Sequence, residues 1–176
     1  PVTASMILST ADLTIARDVG NISNAPFAGN TDIDASGNID LIIGSPGRNP
    51  SFGTGGEGCV FVFYDPSSAS MVYSDADANI EGENVGEWVG ASVTSVGDVN
   101  LDGYDDVLFG APGYRSGVGA AALFFGPLYG SYTLSDADYI FVGDTSDVGI
   151  SITGLGDINS DGYPDFAVGE PGESTY

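Results

Sequence analysis

Gly97-Asp98-Val99-Asn100-Leu101-Asp102-Gly103-Tyr104-Asp105-Asp106-Val107-Leu108-Phe109-Gly110-Ala111-Pro112-Gly113 returns further along the chain as Gly156-Asp157-Ile158-Asn159-Ser160-Asp161-Gly162-Tyr163-Pro164-Asp165-Phe166-Ala167-Val168-Gly169-Glu170-Pro171-Gly172. A looser copy, Asp32-Ile33-Asp34-Ala35-Ser36-Gly37-Asn38-Ile39-Asp40, leads into Leu41-Ile42-Ile43-Gly44-Ser45-Pro46-Gly47. Each copy places an acidic loop with a central glycine directly before a short apolar segment. Three copies in one chain define a repeat, and the period of a repeat is read before any single motif because it decides the architecture.

The likeness extends outward from the loops. Ser74-Asp75-Ala76-Asp77 matches Ser135-Asp136-Ala137-Asp138, and Ala69-Ser70-Met71 matches Ala4-Ser5-Met6. With Pro1, Pro66 and Pro127 equivalent, the chain reads as a single repeat domain of units 1–65, 66–126 and 127–176. The last unit lacks the apolar run that closes the others, Val60-Phe61-Val62-Phe63-Tyr64 and Ala122-Leu123-Phe124-Phe125. The expectation is a piece of a longer repeat array, or a chain whose missing strand a partner supplies.

Every segment is short and bounded by Gly, Pro, Asp or Asn, and no window sustains a 3.6-residue period, so the fold class is all-β. In the middle unit strands are expected near 71–73 (continuing loosely towards Ile80), 91–96, 106–109 and 121–125. About four strands per period point to β-propeller blades packed face to face. Three repeats make a partial propeller, or one completed by oligomerisation, since bare strand edges invite further pairing.

The loops place oxygen side chains at positions 1, 3, 5 and 9 and glycine at 6. A loop wrapped around a hard cation turns alternate side chains inward, glycine permits the sharp bend, and position 7 offers its backbone carbonyl. The sets are Asp98, Asn100, Asp102 and Asp106 with the Tyr104 carbonyl, and Asp157, Asn159, Asp161 and Asp165 with that of Tyr163. In the first loop they are Asp32, Asp34, Ser36 and Asp40 with Asn38, where Ser36 in place of a carboxylate predicts the weakest site. All-oxygen ligation at this spacing favours Ca2+, up to three ions, over magnesium or transition metals. The plain alternative is a set of tight Asx and glycine turns with solvated carboxylates.

Composition narrows the function. Among 176 residues, 25 Asp and Glu face 3 Arg, a net charge of -22, with no Lys and no His. That balance repels nucleic-acid backbones and anionic lipid and makes cations the natural partners. It also excludes His-dependent triads, His-ligated zinc and lysine Schiff bases. The lone Cys59 cannot form an internal disulfide and reads as a small core side chain. No stretch approaches the ~20 apolar residues of a membrane span. Arg17, Arg48 and Arg115 are the only cations, and Arg48 and Arg115, in similar loops, are expected to pair with nearby carboxylates. Trp88 and the tyrosines are expected mainly to pack between blades, a sugar site being the less common use.

These motifs resemble the FG-GAP repeat of integrin α-chain head domains and of many bacterial surface proteins. Gly110-Ala111-Pro112 keeps the family's closing motif, Gly169-Glu170-Pro171 and Gly44-Ser45-Pro46 vary it, and the opening Phe-Gly becomes Val89-Gly90 and Val148-Gly149. Around Phe27-Ala28-Gly29 that opening half is poorly preserved. The resemblance implies a propeller, usually of seven blades, with calcium between the first two strands of a blade and ligands at the opposite face or across the top. The remaining blades would come from a parent chain or a second copy.

The expected function is a non-enzymatic, calcium-binding adhesion or ligand-binding module of an extracellular or cell-surface protein, with a periplasmic setting also open. Its ligand is a protein or a carbohydrate, with no nucleic acid and no membrane insertion. The alternative is a scaffold attached to, or part of, a secreted carboxylate-dependent hydrolase, for which Glu57, Glu81, Glu83, Glu87 and Glu170 are the candidate acids.

Overall fold

The structure, a computed structural model, describes residues 14–16, 25–48, 55–66, 70–144 and 146–171. In chain order the strands are β1 (Thr14–Ala16), β2 (Phe27–Thr31), β3 (Asp40–Gly44), β4 (Cys59–Phe63), β5 (Ser70–Val72), β6 (Ala78–Glu81), β7 (Ser92–Gly97), β8 (Asp106–Ala111), β9 (Ala120–Phe124), β10 (Gly130–Thr133), β11 (Tyr139–Val142), β12 (Ile152–Gly156) and β13 (Asp165–Val168). The segment expected to run on from 71 towards Ile80 divides in two. Tyr73–Asp75 forms a single 3-10 turn between β5 and β6. Asp75 causes the break: its Oδ2 accepts from Val72 N at 2.8 Å, an arrangement that Asp136 repeats on Thr133 N at 2.7 Å.

Two antiparallel four-stranded meanders result, β2-β3-β4-β6 and β7-β8-β9-β11, followed by the hairpin β12-β13. Each meander takes its first three strands from one sequence unit and its outer strand from the next. The outer strand of the first sheet is then joined, in parallel, by β10, with Ala78 opposite Gly130. The same parallel pairing joins β1 to β5, with Thr14 opposite Ser70. The first sheet therefore contains strands from all three units, and sheets and units are out of phase.

The middle strands read as unbroken apolar runs because they are covered on both faces, with side chains alternating between them. In β4, Val60 and Val62 join Ile33, Ile42 and Ile80 against Val107, Phe109, Ala122 and Phe124 of the second sheet. Cys59, Phe61 and Phe63 turn the other way, towards Leu41, Ile43 and Tyr73. On the far side of the second sheet, Leu108, Ala121 and Leu123 meet Ile152, Phe166 and Val168. The first strands β2, β7 and β12 run side by side.

Glycine sets how closely these strands approach. A Cβ on Gly44 would lie 2.1 Å from the Gly90 carbonyl oxygen, and one on Gly110 would lie 1.7 Å from that of Gly149. The closing Gly of one repeat thus lies against the opening Gly of the next. Register also relocates the poorly preserved opening half of the first unit. Phe27 pairs with Ile43 as Val93 pairs with Phe109, so Phe27-Ala28-Gly29 lies within β2. The position equivalent to Gly90 falls at Asn24, outside the described residues.

Candidate metal centre

The three acidic loops join β2 to β3, β7 to β8 and β12 to β13, at one end of the sheets. Each loop enters the left-handed backbone region at position 4 and at the glycine: φ is 58° and 86° at Ala35 and Gly37, 60° and 98° at Leu101 and Gly103, and 61° and 94° at Ser160 and Gly162. The glycine amide then donates to the position-1 carboxylate: Gly37 N to Asp32 Oδ2 at 2.9 Å, Gly103 N to Asp98 Oδ2 at 2.8 Å, and Gly162 N to Asp157 Oδ2 at 2.9 Å. The position-7 amide is held by the position-5 side chain in every loop: Asn38 N by Ser36 Oγ at 3.3 Å, Tyr104 N by Asp102 Oδ1 at 3.0 Å, and Tyr163 N by Asp161 Oδ1 at 2.9 Å.

The position-9 carboxylate ties the loop to the sheet. Asp106 accepts from Val99 N at 2.9 Å and from Gly126 N, just beyond β9, at 3.0 Å. Asp40 does the same with Ile33 N at 2.6 Å and Asp65 N at 3.1 Å. Asp165 accepts from Ile158 N at 3.0 Å. Burial is the main force raising the Asp106 carboxyl to about 6, against the pull of these two amides, with Asp102 and Asp98 adding repulsion. Burial likewise raises Asp40, opposed by the Asp65 and Ile33 amides and aided by Asp34 and Asp32. Carboxylates gathered under these conditions lack a counter-charge.

The loops differ at position 1. In the second and third, the other oxygen of Asp98 and of Asp157 accepts from the position-5 amide, Asp102 N at 2.9 Å and Asp161 N at 3.1 Å. There Asn100 and Asn159 also donate Nδ2 to Asp102 and Asp161, at 2.8 and 3.0 Å. In all three loops the position-5 amide also donates to position 3: Asp102 N to Asn100 Oδ1 at 3.0 Å and Asp161 N to Asn159 Oδ1 at 2.8 Å. In the first loop Ser36 N keeps this bond alone, to Asp34 Oδ1 at 3.0 Å. Asp32 Oδ1 is left buried with no hydrogen-bond partner. Among the described residues this is the one place where three carboxylates, Asp32, Asp34 and Asp40, bring ligand oxygens within 4.8 Å of one another. The loop singled out from sequence as the weakest site is the one most closely gathered.

Neighbouring loops also brace each other. Asp105, at position 8, accepts from Thr31 Oγ1 at 3.0 Å and from Asp32 N at 2.9 Å, and its own amide donates to the Asp32 carbonyl at 3.2 Å. Pro164, at the same position in the third loop, lies against Gly97. Sequence reasoning passed over Asp105 because it is not one of the alternating positions. Its signal was the adjacent pair Asp105-Asp106, in which one carboxylate serves its own loop and the other the loop before.

The donor set suits a hard cation: every group is an oxygen, and Asp32 Oδ1 is a buried acceptor without a donor. Asp32, Asp34 and Asp40, with Asp98, Asn100, Asp102 and Asp106 and with Asp157, Asn159, Asp161 and Asp165, are the residues that would hold such ions. A bound ion would supply positive charge among these carboxylates and stiffen the loops.

Four of the five candidate glutamates are engaged elsewhere. Glu81 pairs with Arg48 at 3.0 Å, Glu83 accepts from Ser135 N at 3.1 Å, and Glu170 accepts from Asp144 N at 2.9 Å. Glu87 accepts from Glu83 N at 2.8 Å and from Asn84 Nδ2 at 2.7 Å, while Glu57 keeps a buried Oε2 without a partner. The expected pairing holds for Arg48 but not for Arg115, which lies over the Tyr114 ring and meets no carboxylate among the described residues. Arg17 lies outside the described residues. Trp88 does not pack between sheets: it is 49% exposed.

The FG-GAP repeat model matches residues 89–124 and 148–176. Integrin alpha-3 of Mus musculus is 31% identical over 149 residues, covering 82% of this chain and 13% of the relative. Integrin alpha-D of Homo sapiens is 34% identical over 149 residues, 81% and 12% respectively. Integrin alpha-6 of Gallus gallus is 40% identical over 96 residues, 52% and 9%. The chain thus spans only a small part of the relatives it matches. The matched stretches begin at Val89-Gly90 and Val148-Gly149 and run through the acidic loops and the strands behind them, so the chain is an FG-GAP repeat protein, similar over most of its length to a segment of integrin α-chains.

Proposed function

We propose that the chain is a calcium-stabilised, non-catalytic module of an extracellular or cell-surface protein, acting in adhesion or ligand binding, with its sheets serving as blades of a β-propeller. The observation that carries the calcium reading is the convergence of Asp32, Asp34 and Asp40 around the unpartnered Asp32 Oδ1. The equivalent loops behind it supply two further sites. The propeller reading draws on the side-by-side first strands and on the outer strands taken from the following unit, features expected of blades arranged radially. Further blades, from a parent chain or from a second copy, would complete the ring.

The test is thermal unfolding in chelator and in about 1 mM calcium, the range in which extracellular modules bind. Binding to the folded state alone raises the midpoint by mass action. The expected result is a clear rise in the midpoint with calcium, reduced in the Asp32→Asn and Asp98→Asn variants. An unchanged midpoint removes the calcium reading. Light scattering under both conditions tests ring completion by self-association, for which a mass of 17.9 kDa throughout would be the refuting result.

A further inference from the structure

At the end of the sheets opposite the acidic loops, three connections enclose a cleft of about 670 Å³. They are 82–91 between β6 and β7, 112–119 between β8 and β9, and the approach to β12 at Asp147. We propose that this cleft binds a neutral saccharide, with Trp88 as the stacking platform and Asn84, Arg115 and Asp147 as the polar groups that meet its hydroxyls. The inference rests on the ligand-binding reading proposed above, to which it gives a site and a ligand class, and not on the metal reading, which concerns the other end of the molecule.

Trp88 is the first reason. Its turn needs no aromatic side chain, because the equivalent turn in the next unit is built on Asp147. Both residues adopt positive φ, 54° and 62°, and both carbonyls accept from the amide three residues on. Nor does the core use the ring, half of whose surface is exposed. It is nevertheless fixed in place: Trp88 N donates to the Gly56 carbonyl at 3.1 Å, and a Cβ on Gly56 would come within 3.0 Å of the indole Cδ1 and Nε1. A half-open indole seated on the Gly56 backbone at the wall of a cleft offers a flat apolar face of the kind a sugar ring covers.

Arg115 is the second. In the first sheet, Arg48 donates to the Cys59 thiol at 3.1 Å and to Glu81 at 3.0 Å. By register, the second sheet has Ala120 and Val142 where the first has Cys59 and Glu81. Arg115, one residue beyond the position equivalent to Arg48, lies over the Tyr114 ring at the cleft and pairs with no carboxylate among the described residues. Its backbone and that of Ser116 are left-handed, with φ of 49° and 63°, a conformation uncommon outside glycine and frequent at binding sites. An arginine with no carboxylate partner among the described residues, in a chain of charge -22, leaves its donors for another acceptor.

Chemistry selects the ligand class. Asp147 lines the same cleft, and the Glu87 carboxylate, held by Glu83 N, Asn84 N and Asn84 Nδ2, lies in its wall. With the net charge of the chain, these carboxylates oppose an anionic ligand such as a uronate. A neutral ring with several hydroxyls can donate to the carboxylate and accept from the guanidinium at once.

Trp88 is the only tryptophan, so its emission reports on this cleft directly. The full chain, in about 1 mM calcium, is titrated with tetrasaccharides of glucose, galactose, mannose and N-acetylglucosamine and with a galacturonate tetramer, by emission and by calorimetry. The expected result is saturable binding of at least one neutral tetrasaccharide, at least tenfold weaker in Arg115→Ala, whose exposed side chain should leave the thermal midpoint unchanged. No response to any neutral probe up to about 10 mM, where even weak affinities register, overturns the proposal. So does tighter binding of the galacturonate tetramer, or neutral binding that Arg115→Ala leaves intact.

Discussion

The Tyr64 hydroxyl donates to the Leu128 carbonyl and accepts from the Leu128 amide, both at 2.7 Å, closing a two-bond ring between the end of the first sheet's third strand and the segment entering β10. Leu128 is buried, so its backbone amide and carbonyl would be left unpaired if the hydroxyl were removed. Tyr64→Phe is expected to lower stability by about 2 kcal/mol, the cost of leaving buried polar groups unpaired. Urea unfolding monitored by circular dichroism measures it, and a loss below about 0.5 kcal/mol would show the ring to be dispensable.

Gly110 has no room for a side chain, since its Cβ would meet the Gly149 carbonyl oxygen at 1.7 Å, a backbone atom that can yield only by moving β12's approach. Gly110→Ala should cost about 3 kcal/mol by overpacking. At Gly29 an added Cβ would make an ordinary 3.5 Å contact with the Asp40 carbonyl oxygen. Gly29→Ala should therefore stay within about 0.5 kcal/mol of the parent. Equal effects in parallel denaturant titrations would contradict the close approach.

Asp106 makes the metal-free protein sensitive to pH in a defined direction. Its carboxyl stands at about 6 when folded, mainly through burial, against ~3.9 in an unfolded chain. The folded state holds the proton more tightly, so the contribution is complete below the unfolded value and is lost as pH rises through the folded one. Melting temperature in chelator should fall as pH rises from about 4 to about 6. Asp106→Asn should flatten that slope; a parent midpoint that rises with pH across the window would contradict it.

Cys59 is buried and its thiol is pushed up to about 12, chiefly by desolvation, with Arg48 pulling the other way. The thiolate is the reactive form. Folded protein should resist iodoacetamide at about pH 8 while urea-unfolded protein reacts fully. Stoichiometric labelling of the folded protein, read by mass spectrometry, would show the strand to open readily.

The strands β7, β8 and β9 were legible because local signals agree: an apolar run, a glycine or acidic loop on each side, and a period that repeats. The partner of β6 was not. Ala78–Glu81 and Ser70–Val72 sit in one stretch of sequence, yet they separate at the Asp75 turn and enter different sheets, and pairing over such distances leaves no trace in local periodicity. The loop ligands at alternating positions could be read from spacing alone. What spacing could not reveal was the orphaned Asp32 Oδ1, which depends on whether Ser36 N reaches Asp32 as well as Asp34. Nor could spacing show that Arg115 lies over the Tyr114 ring with no carboxylate partner among the described residues, since that depends on a left-handed backbone at 115 and 116.

Laying β10 along β6 before the chain returns to finish its own sheet has a consequence for unfolding. In a simple stack of repeats each unit touches only its neighbours, and the ends can fray while the middle holds. Here peeling away the third unit strips a strand from the first sheet and the outer strand from the second in the same event. Such a chain is expected to melt as one cooperative body, from which a repeat could not be excised like a bead from a string.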